Sequence, residues 1–479
     1  MTTEQKPTCF RYYSLNCYIS MSKTMKESIQ QLRTYFLSGA TQSYDFRLNQ
    51  LKRLKKVTLE HEKEIYEALY TDLKKTNEDA WATELGFFLS ELNHTIEHLK
   101  GWMQPASVPT NLLNQPSSCF TIREPLGVVC IIAPWNYPFQ LLLTPLVGAI
   151  AGGNCAVLKP SEFAPATAKV MRKIIDALFP NNYIMYVEGD GATVLPPMLT
   201  ENRFDHIFYT GSTQVGKIIY KYAAEHLTPV TLELGGKSPA VISSDANLRV
   251  AARRIASPKY SNCGQMCIAP DYVLVPTELK DKFIEELITA TQQFYGANAS
   301  ESEHYGKIIN DKQWLRITSY LSEGEIVYGG KSDRDKLYIE PTIMTGIHPN
   351  AKIMQDEIFG PILPVLTYQS NEEALAVIQQ NPNPLAFYVF TENKTDEQYW
   401  LTNVPSGGAC VNNATLHITN HDLPFGGRGY SGMGGYHGKS SFDTFTHLKS
   451  VLKTPTWIDP NFKYPPYTGK GWLLKKLIG

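Results

Sequence analysis

The sequence predicts an α/β fold around a largely parallel sheet. Three observations lead there. Gly127–Ile132 is a continuous apolar run, as expected of a strand covered on both faces. Further apolar runs follow at Cys155–Leu158, Tyr183–Val187, His206–Tyr209 and Pro229–Leu232, with helical stretches between them at 139–151, 166–178 and 213–225. Strands separated by helices of about 10–15 residues form βαβ units, and their parallel strands place ligands beyond the carboxyl ends.

Periodicity and breakers give the other elements. From residue 22 to 102 the pattern is helical. Leu48, Leu51, Leu54 and Val57 recur every three residues; Ile65, Leu69 and Leu73 recur every four; Leu85, Phe88, Leu89 and Leu92 continue the stripe. Gln104–Ser118 is polar, carries three prolines and reads as a connection. In the second half Tyr272–Val275, Ile326–Tyr328, Ile362–Thr367 and Ala386–Phe390 read as strands. Thr277–Phe294 and Glu372–Gln380 read as helices.

Composition excludes several classes. A chain of 479 residues has room for two or three domains with real cores, and 43% apolar residues argue against disorder. The 45 basic and 46 acidic residues leave a net charge of −1, which argues against a nucleic-acid partner held by phosphate neutralisation. Eight cysteines, at 9, 17, 119, 130, 155, 263, 267 and 410, are too sparse for a disulfide scaffold and lack paired zinc spacing. The expectation is reduced thiols, a cytoplasmic location and no metal. Pro125–Leu158 carries no charge and is long enough to span a bilayer. Pro134, Asn136, Pro138, Gln140 and Pro145 interrupt it, so it reads as a buried strand, loop and helix, with no transmembrane segment. Residues 1–20 lack a signal peptide's apolar centre and read as an extension with little structure.

Five patterns carry chemistry, and each also has an ordinary structural reading. Asn136, in Pro134-Trp135-Asn136, offers an amide to a developing oxyanion, or is simply a hydrogen-bonded loop residue. Lys159 and Glu162 follow a strand and suit ribose hydroxyls, or form a charged surface turn. Gly211, Ser212, Thr213, Gln214, Val215 and Gly216 open a helix with free amides suited to an anion, or form an ordinary strand–helix turn. Glu233 ends an apolar strand, where burial raises a carboxyl toward the range of a general base; the alternative is a salt-bridged loop residue. Cys267, in Asn262-Cys263-Gly264-Gln265-Met266-Cys267, is a candidate nucleophile or an inert buried thiol.

Together, in this order, these patterns resemble the NAD(P)-dependent aldehyde dehydrogenase superfamily over residues 40–468. Glu357-Ile358-Phe359-Gly360-Pro361 and Pro424-Phe425-Gly426-Gly427 add to the resemblance. Tyr464-Pro465-Pro466-Tyr467 is similar to the tail of the class 3 branch, the fatty and aromatic aldehyde dehydrogenases. The resemblance implies a Rossmann-type cofactor domain (21–107 and 126–232), an α/β catalytic domain (233–435) and a small bridging β-element (108–125 and 446–455). A C-terminal tail would occupy 456–479.

It also implies a reaction. Cys267 would add to an aldehyde, Asn136 and the Cys267 N–H would hold the oxyanion, and Glu233 would activate water against the thioester. Trp135, Lys159, Glu162, the 211–216 turn, Glu357 and Phe359 would face the cofactor. Glu162 leans the choice toward NAD by repelling a 2′-phosphate, with NADP possible. Met266, Ser257 and Phe425 would line the substrate pocket. The substrate would be a medium- or long-chain aliphatic or an aromatic aldehyde, and the enzyme a homodimer. The competing readings are a coenzyme-A-acylating dehydrogenase, which usually lacks the Glu233 base, and a cofactor-binding homologue without turnover. Three positions depart from the resemblance: Cys263 stands for serine or alanine, Met266 for threonine, and Ser257-Pro258 for a bulky residue and glycine. If the segment is helical, Cys263 and Cys267 share a face and pair reversibly under oxidant.

Overall fold

A computed structural model describes residues 24–478. The expected extension at 1–20, with Cys9 and Cys17, lies outside the described residues.

A six-stranded sheet holds the first half together. Its order is Gly432–Met433, Val230–Glu233, His206–Thr210, Val128–Ile132, Cys155–Lys159 and Ile184–Tyr186. All pairs are parallel except the short Gly432–Met433 edge. The chain winds outward from Val128–Ile132 in one direction, then returns to its other side with His206–Thr210. That reversal makes the crevice where α/β sheets bind ligands. Val128–Ile132 is buried at every position, as its uninterrupted apolar run requires.

The uncharged Pro125–Leu158 stretch resolves into this strand, the helix Gln140–Gly152 and the start of Cys155–Lys159. Every residue of Gln140–Gly152 is buried, including Pro145. It packs against the helices Tyr44–Glu60, Gly86–Trp102 and Lys439–Thr444, so it is apolar all round because protein surrounds it. Among the described residues no helix is long and apolar enough to cross a membrane. On Tyr44–Glu60 the three-residue stripe faces inward: Leu51 and Leu54 are fully buried, and Leu48 and Val57 pack at its margin.

A seven-stranded sheet organises the second half. Its order is Glu325–Tyr328, Thr342–Thr345, Ile362–Tyr368, Tyr272–Pro276, Pro239–Ile242, Ala386–Phe390 and Gly408–Val411, parallel except for the first strand. A third sheet pairs Ala106–Val108, Ser118–Pro125 and Thr446–Lys453, all antiparallel. The polar stretch read as a connection therefore contains an edge strand and a 3₁₀ turn, Leu112–Asn114.

Several elements are not legible in the pattern. The helices Gly191–Thr200 and Leu248–Tyr260 carry Pro196, Pro197 and Pro258 inside them, residues that read as breakers. The Thr277–Phe294 pattern begins with a 3₁₀ turn, Thr277–Leu279, before the helix Lys280–Tyr295. The expected helical face shared by Cys263 and Cys267 does not form. Ser261–Gly264 is a 3₁₀ turn with Asn262 and Cys263 in the left-handed region, φ 49° and 53°. The i,i+4 geometry of an α-helix therefore does not apply, and the Cys263 thiol is fully buried, while the Tyr305 hydroxyl donates to the Ile339 carbonyl at 2.7 Å.

Candidate active site

The six-stranded sheet gathers four of the five patterns at its carboxyl edge. Trp135 and Asn136 follow Val128–Ile132, Lys159 ends its strand, Gly211 follows His206–Thr210, and Glu233 ends Val230–Glu233. The fifth, the Cys267 segment, comes to the same place from the far side. The Asn136 side-chain amide donates to the Gln265 carbonyl at 3.0 Å.

Glu233 is fixed from both sides. Gly211 N–H donates to its carbonyl at 3.0 Å, and Leu234 N–H donates to the Ser431 carbonyl at 3.0 Å. Both carboxylate oxygens are buried with no hydrogen-bond partner. Burial pushes this carboxyl well above the usual carboxylate range. Cys267 is half-buried nearby. Burial, then the charges of Glu357 and Glu233, push its thiol up, while the backbone N–H groups of Cys267 and Ile268 act in the other direction. A neutral thiol, donors ready for its anion and an unsatisfied carboxyl are the parts of an activated nucleophile.

The segment before Cys267 is rigid. Gln265 is buried; its amide donates to the Asn262 and Lys307 carbonyls at 2.9 Å each, and its Oε1 accepts from Ile309 N–H at 3.0 Å. Gly264, at φ +70°, lies against the Gly360 and Lys259 backbones, where a Cβ has no room. The Tyr388 hydroxyl donates to the Ile268 carbonyl at 2.6 Å. Met266 is half-buried against the core. Phe425 is buried between His417, Tyr436 and His437. Ser257 lies exposed on the helix Leu248–Tyr260.

The other wall carries Glu357 and Phe359. Phe359 sits at φ 47°, and its ring meets the Trp135 ring edge-on, with centroids 5.4 Å apart. Glu357 approaches Gly235 so closely that a Cβ there would overlap its carboxylate. Its Oε1 is buried without a partner; burial, then Asp271, raise its carboxyl well above the usual range. Lys159 is buried, with its ammonium 3.2 Å from Glu162 Oε2, and Glu162 Oε1 accepts from Gly191 N–H at 3.0 Å. Ser212 caps the helix Thr213–Glu225, its hydroxyl accepting from Val215 N–H at 3.4 Å.

This arrangement fits a dinucleotide. The crevice lies at the strand-order reversal, a capped helix start faces it, and an ion pair stands at the next strand's end. The Glu233 carboxyl, unpartnered at both oxygens, and Glu357, unpartnered at Oε1, lie close enough to the thiol to act on its charge. The motif reading left four residues without a role: Lys75, Glu84, Asn262 and Gln265. Asn262 and Gln265 stand in the cysteine motif, whereas nothing in the spacing of Lys75 and Glu84 marks them.

Comparison with known proteins agrees with this geometry. The aldehyde dehydrogenase family matches residues 16–451. The chain is 45% identical over 453 residues to 4,4'-diaponeurosporen-aldehyde dehydrogenase of Staphylococcus aureus, covering 94% of this chain and 98% of that protein. It is 42% identical over 452 residues to the dimeric NADP-preferring aldehyde dehydrogenase of Canis lupus familiaris, covering 94% and 99%. A solved substrate-bound Staphylococcus aureus AldH superimposes with a TM-score of 0.92 at 45% identity, covering 95% of this chain and 99% of that one. The family's reaction oxidises an aldehyde to the acid with NAD or NADP as oxidant. The chain belongs to the aldehyde dehydrogenase family, in its class 3 branch.

Proposed function

We propose that Cys267 is the nucleophile, Glu233 the base for hydrolysis and Asn136 the oxyanion donor, acting on long-chain aliphatic or aromatic aldehydes. One observation carries the assignment: the unpartnered, buried Glu233 carboxyl beside a thiol whose flanking N–H groups serve its anion. The thiol proton passes to the Glu233 carboxylate, which releases it to solvent before hydrolysis, and sulfur adds to the carbonyl carbon. The carbonyl oxygen takes its charge against the Cys267 N–H and the second hydrogen of the Asn136 –NH₂, the first being used by Gln265. The nicotinamide, when bound, supplies the hydride acceptor that turns this adduct into a thioester. Glu233 then takes a proton from water as the water attacks the thioester, the C–S bond breaks, and the acid leaves.

Trp135, Lys159, Glu162, residues 211–216, Glu357 and Phe359 would hold the dinucleotide. Glu162 favours NAD, because a 2′-phosphate beside its carboxylate is repelled. Met266, Phe425 and Ser257 are assigned to the aldehyde channel. The first two are apolar, and the Staphylococcus aureus relative is named for 4,4'-diaponeurosporen-aldehyde. We assign 21–107 and 126–232 to the cofactor domain, 233–435 to the catalytic domain and the antiparallel sheet to the subunit bridge. That sheet leaves Val108, Leu448 and Leu452 exposed, and a relative is named as dimeric, so we infer a homodimer. The free cysteines support a reducing cytoplasm.

The test follows nicotinamide reduction with NAD and with NADP against short, long and aromatic aldehydes. Cys267→Ala is expected to lose at least about 10³-fold in turnover, with free acid as the wild-type product. Turnover surviving in Cys267→Ala would remove the nucleophile assignment. A dimer is expected by light scattering; a monomeric mass at micromolar concentration would remove that part.

A further inference from the structure

Asn136 is gripped from behind. Its backbone carbonyl accepts from two buried side chains, Lys75 Nζ at 3.2 Å and Asn262 Nδ2 at 2.9 Å. The Lys75 ammonium is also 2.6 Å from Glu84 Oε1, and both residues are buried. Glu84 Oε2 accepts at 3.0 Å from the N–H of Gln140, the first residue of the helix Gln140–Gly152. Lys75 Nζ lies 3.9 Å from the centroid of the Tyr137 ring. One buried ion pair therefore touches the 136–140 turn at the Asn136 carbonyl, the Tyr137 ring and the Gln140 amide.

The local backbone is shaped to deliver the pair. The helix Glu62–Leu73 ends through Lys74 in the left-handed region, φ 57°, immediately before Lys75. Glu84 sits in a π-helical turn, Trp81–Leu85, a rare geometry that is frequent at functional sites. Stability does not account for the arrangement, because a buried ion pair gains little over well-packed apolar residues of the same volume. What an apolar pair cannot provide is a donor to the Asn136 carbonyl together with an acceptor for the Gln140 amide.

We infer that Lys75 and Glu84 are positioning residues that aim the Asn136 amide at the oxygen of the reacting carbonyl. The inference rests on the oxyanion role proposed for Asn136. Lys75 and Glu84 touch no reacting atom; they fix the peptide from which the Asn136 side chain extends. Displacement of such a group by about 1 Å is enough to cost about 10²-fold.

The test uses an acylation that needs no cofactor. Cys267 attacks p-nitrophenyl acetate, p-nitrophenolate leaves, and the acetyl thioester is read by intact mass and by nitrophenolate release. In Lys75→Met/Glu84→Gln both buried charges are gone, and glutamine still accepts from Gln140. The acylation rate is expected to fall about 10- to 100-fold, with NAD binding by fluorescence titration unchanged. Glu84→Gln alone, with Lys75 kept, serves as the milder variant if the double variant fails to fold; it is expected to slow acylation by a smaller factor.

Asn136→Ala separates the two ideas. If Asn136→Ala acylates at the wild-type rate, the oxyanion reading fails and this inference falls with it. If Asn136→Ala is slow while folded Lys75/Glu84 variants acylate normally, only the inference fails. If both are slow, the combined variant decides. Acting through Asn136, the Lys75/Glu84 change adds nothing further to Asn136→Ala; a merely structural role multiplies the two losses and overturns the inference.

Discussion

The Lys237 ammonium lies 2.6 Å from the Asp271 carboxylate, and this buried pair ties down the loop that carries Glu357 and Phe359. Lys237 also donates to the Ile353 and Asp356 carbonyls at 2.6 and 3.1 Å. The second Asp271 oxygen accepts from Ile358 N–H at 3.0 Å. Arg316 donates to the Glu357 and Ile358 carbonyls at 3.3 and 2.8 Å. The left-handed Phe359 backbone persists because its neighbours are held on both sides.

Lys237→Met is therefore expected to strand a buried Asp271 charge. The loss is about 3–5 kcal/mol of stability by urea unfolding. With the loop loosened, the KM for NAD is expected to rise about 10-fold in the protein that still folds. Unchanged stability and unchanged KM would show that the loop holds itself.

Glu233→Gln is expected to complete one round of hydride transfer and stall at the thioester, seen as a stoichiometric burst followed by turnover reduced at least about 10²-fold. The pH dependence follows from the raised carboxyl. The base is the ionised form, so hydrolysis in the wild type rises with pH through that raised value. Stability runs the other way. Above the unfolded value of about 4.3 the unfolded chain releases a proton that the native state keeps, so stability is lost as pH rises. Glu233→Gln should stabilise the protein more at about pH 8 than at about pH 4, and melting curves with the opposite trend would contradict the burial argument.

Glu91 behaves with the opposite sign. It is buried, and burial alone would raise it; hydrogen bonds from His421 and from Gly438 N–H, with the His437 ring 3.5 Å away, hold its carboxyl down at about 2. The native state thus favours the anion. The stabilisation is present above the unfolded value of about 4.3 and is lost as pH falls toward the folded value. Glu91→Gln is expected to cost about 1–3 kcal/mol at neutral pH, and less below about pH 4, by denaturant titration at several pH values. A loss independent of pH would point to packing instead.

Glu162→Gln removes the charge expected to face a 2′-phosphate, and also half of the pair with Lys159 at 3.2 Å. The ratio of kcat/KM for NADP to that for NAD is expected to rise about 10-fold. An unchanged ratio measured at low salt, where the charge term is largest, would place the discrimination elsewhere.

The sequence by itself determined the parallel sheet and the motif positions. The run Gly127–Ile132 is fully apolar because both sheet faces are covered, and that demand leaves a local mark in the chain. Asn136, Lys159, Glu162 and Glu233 were legible for the same kind of reason: each stands beside a strand end that periodicity identifies. Only the tertiary structure decided which partners hold them. Lys75 meets the Asn136 carbonyl across 61 positions, and Lys237 meets the Asp356 carbonyl across 119. The unpartnered state of the Glu233 carboxylate likewise depends on what surrounds it. Tertiary structure also decided that Asn262 and Cys263 leave the helical region, removing the shared face that four-residue spacing suggested. The physical reason is range. Strand and helix periodicity records burial one residue at a time along the chain, whereas a buried charge or a catalytic amide is satisfied by whatever the fold brings across space, and that pairing leaves no periodic trace.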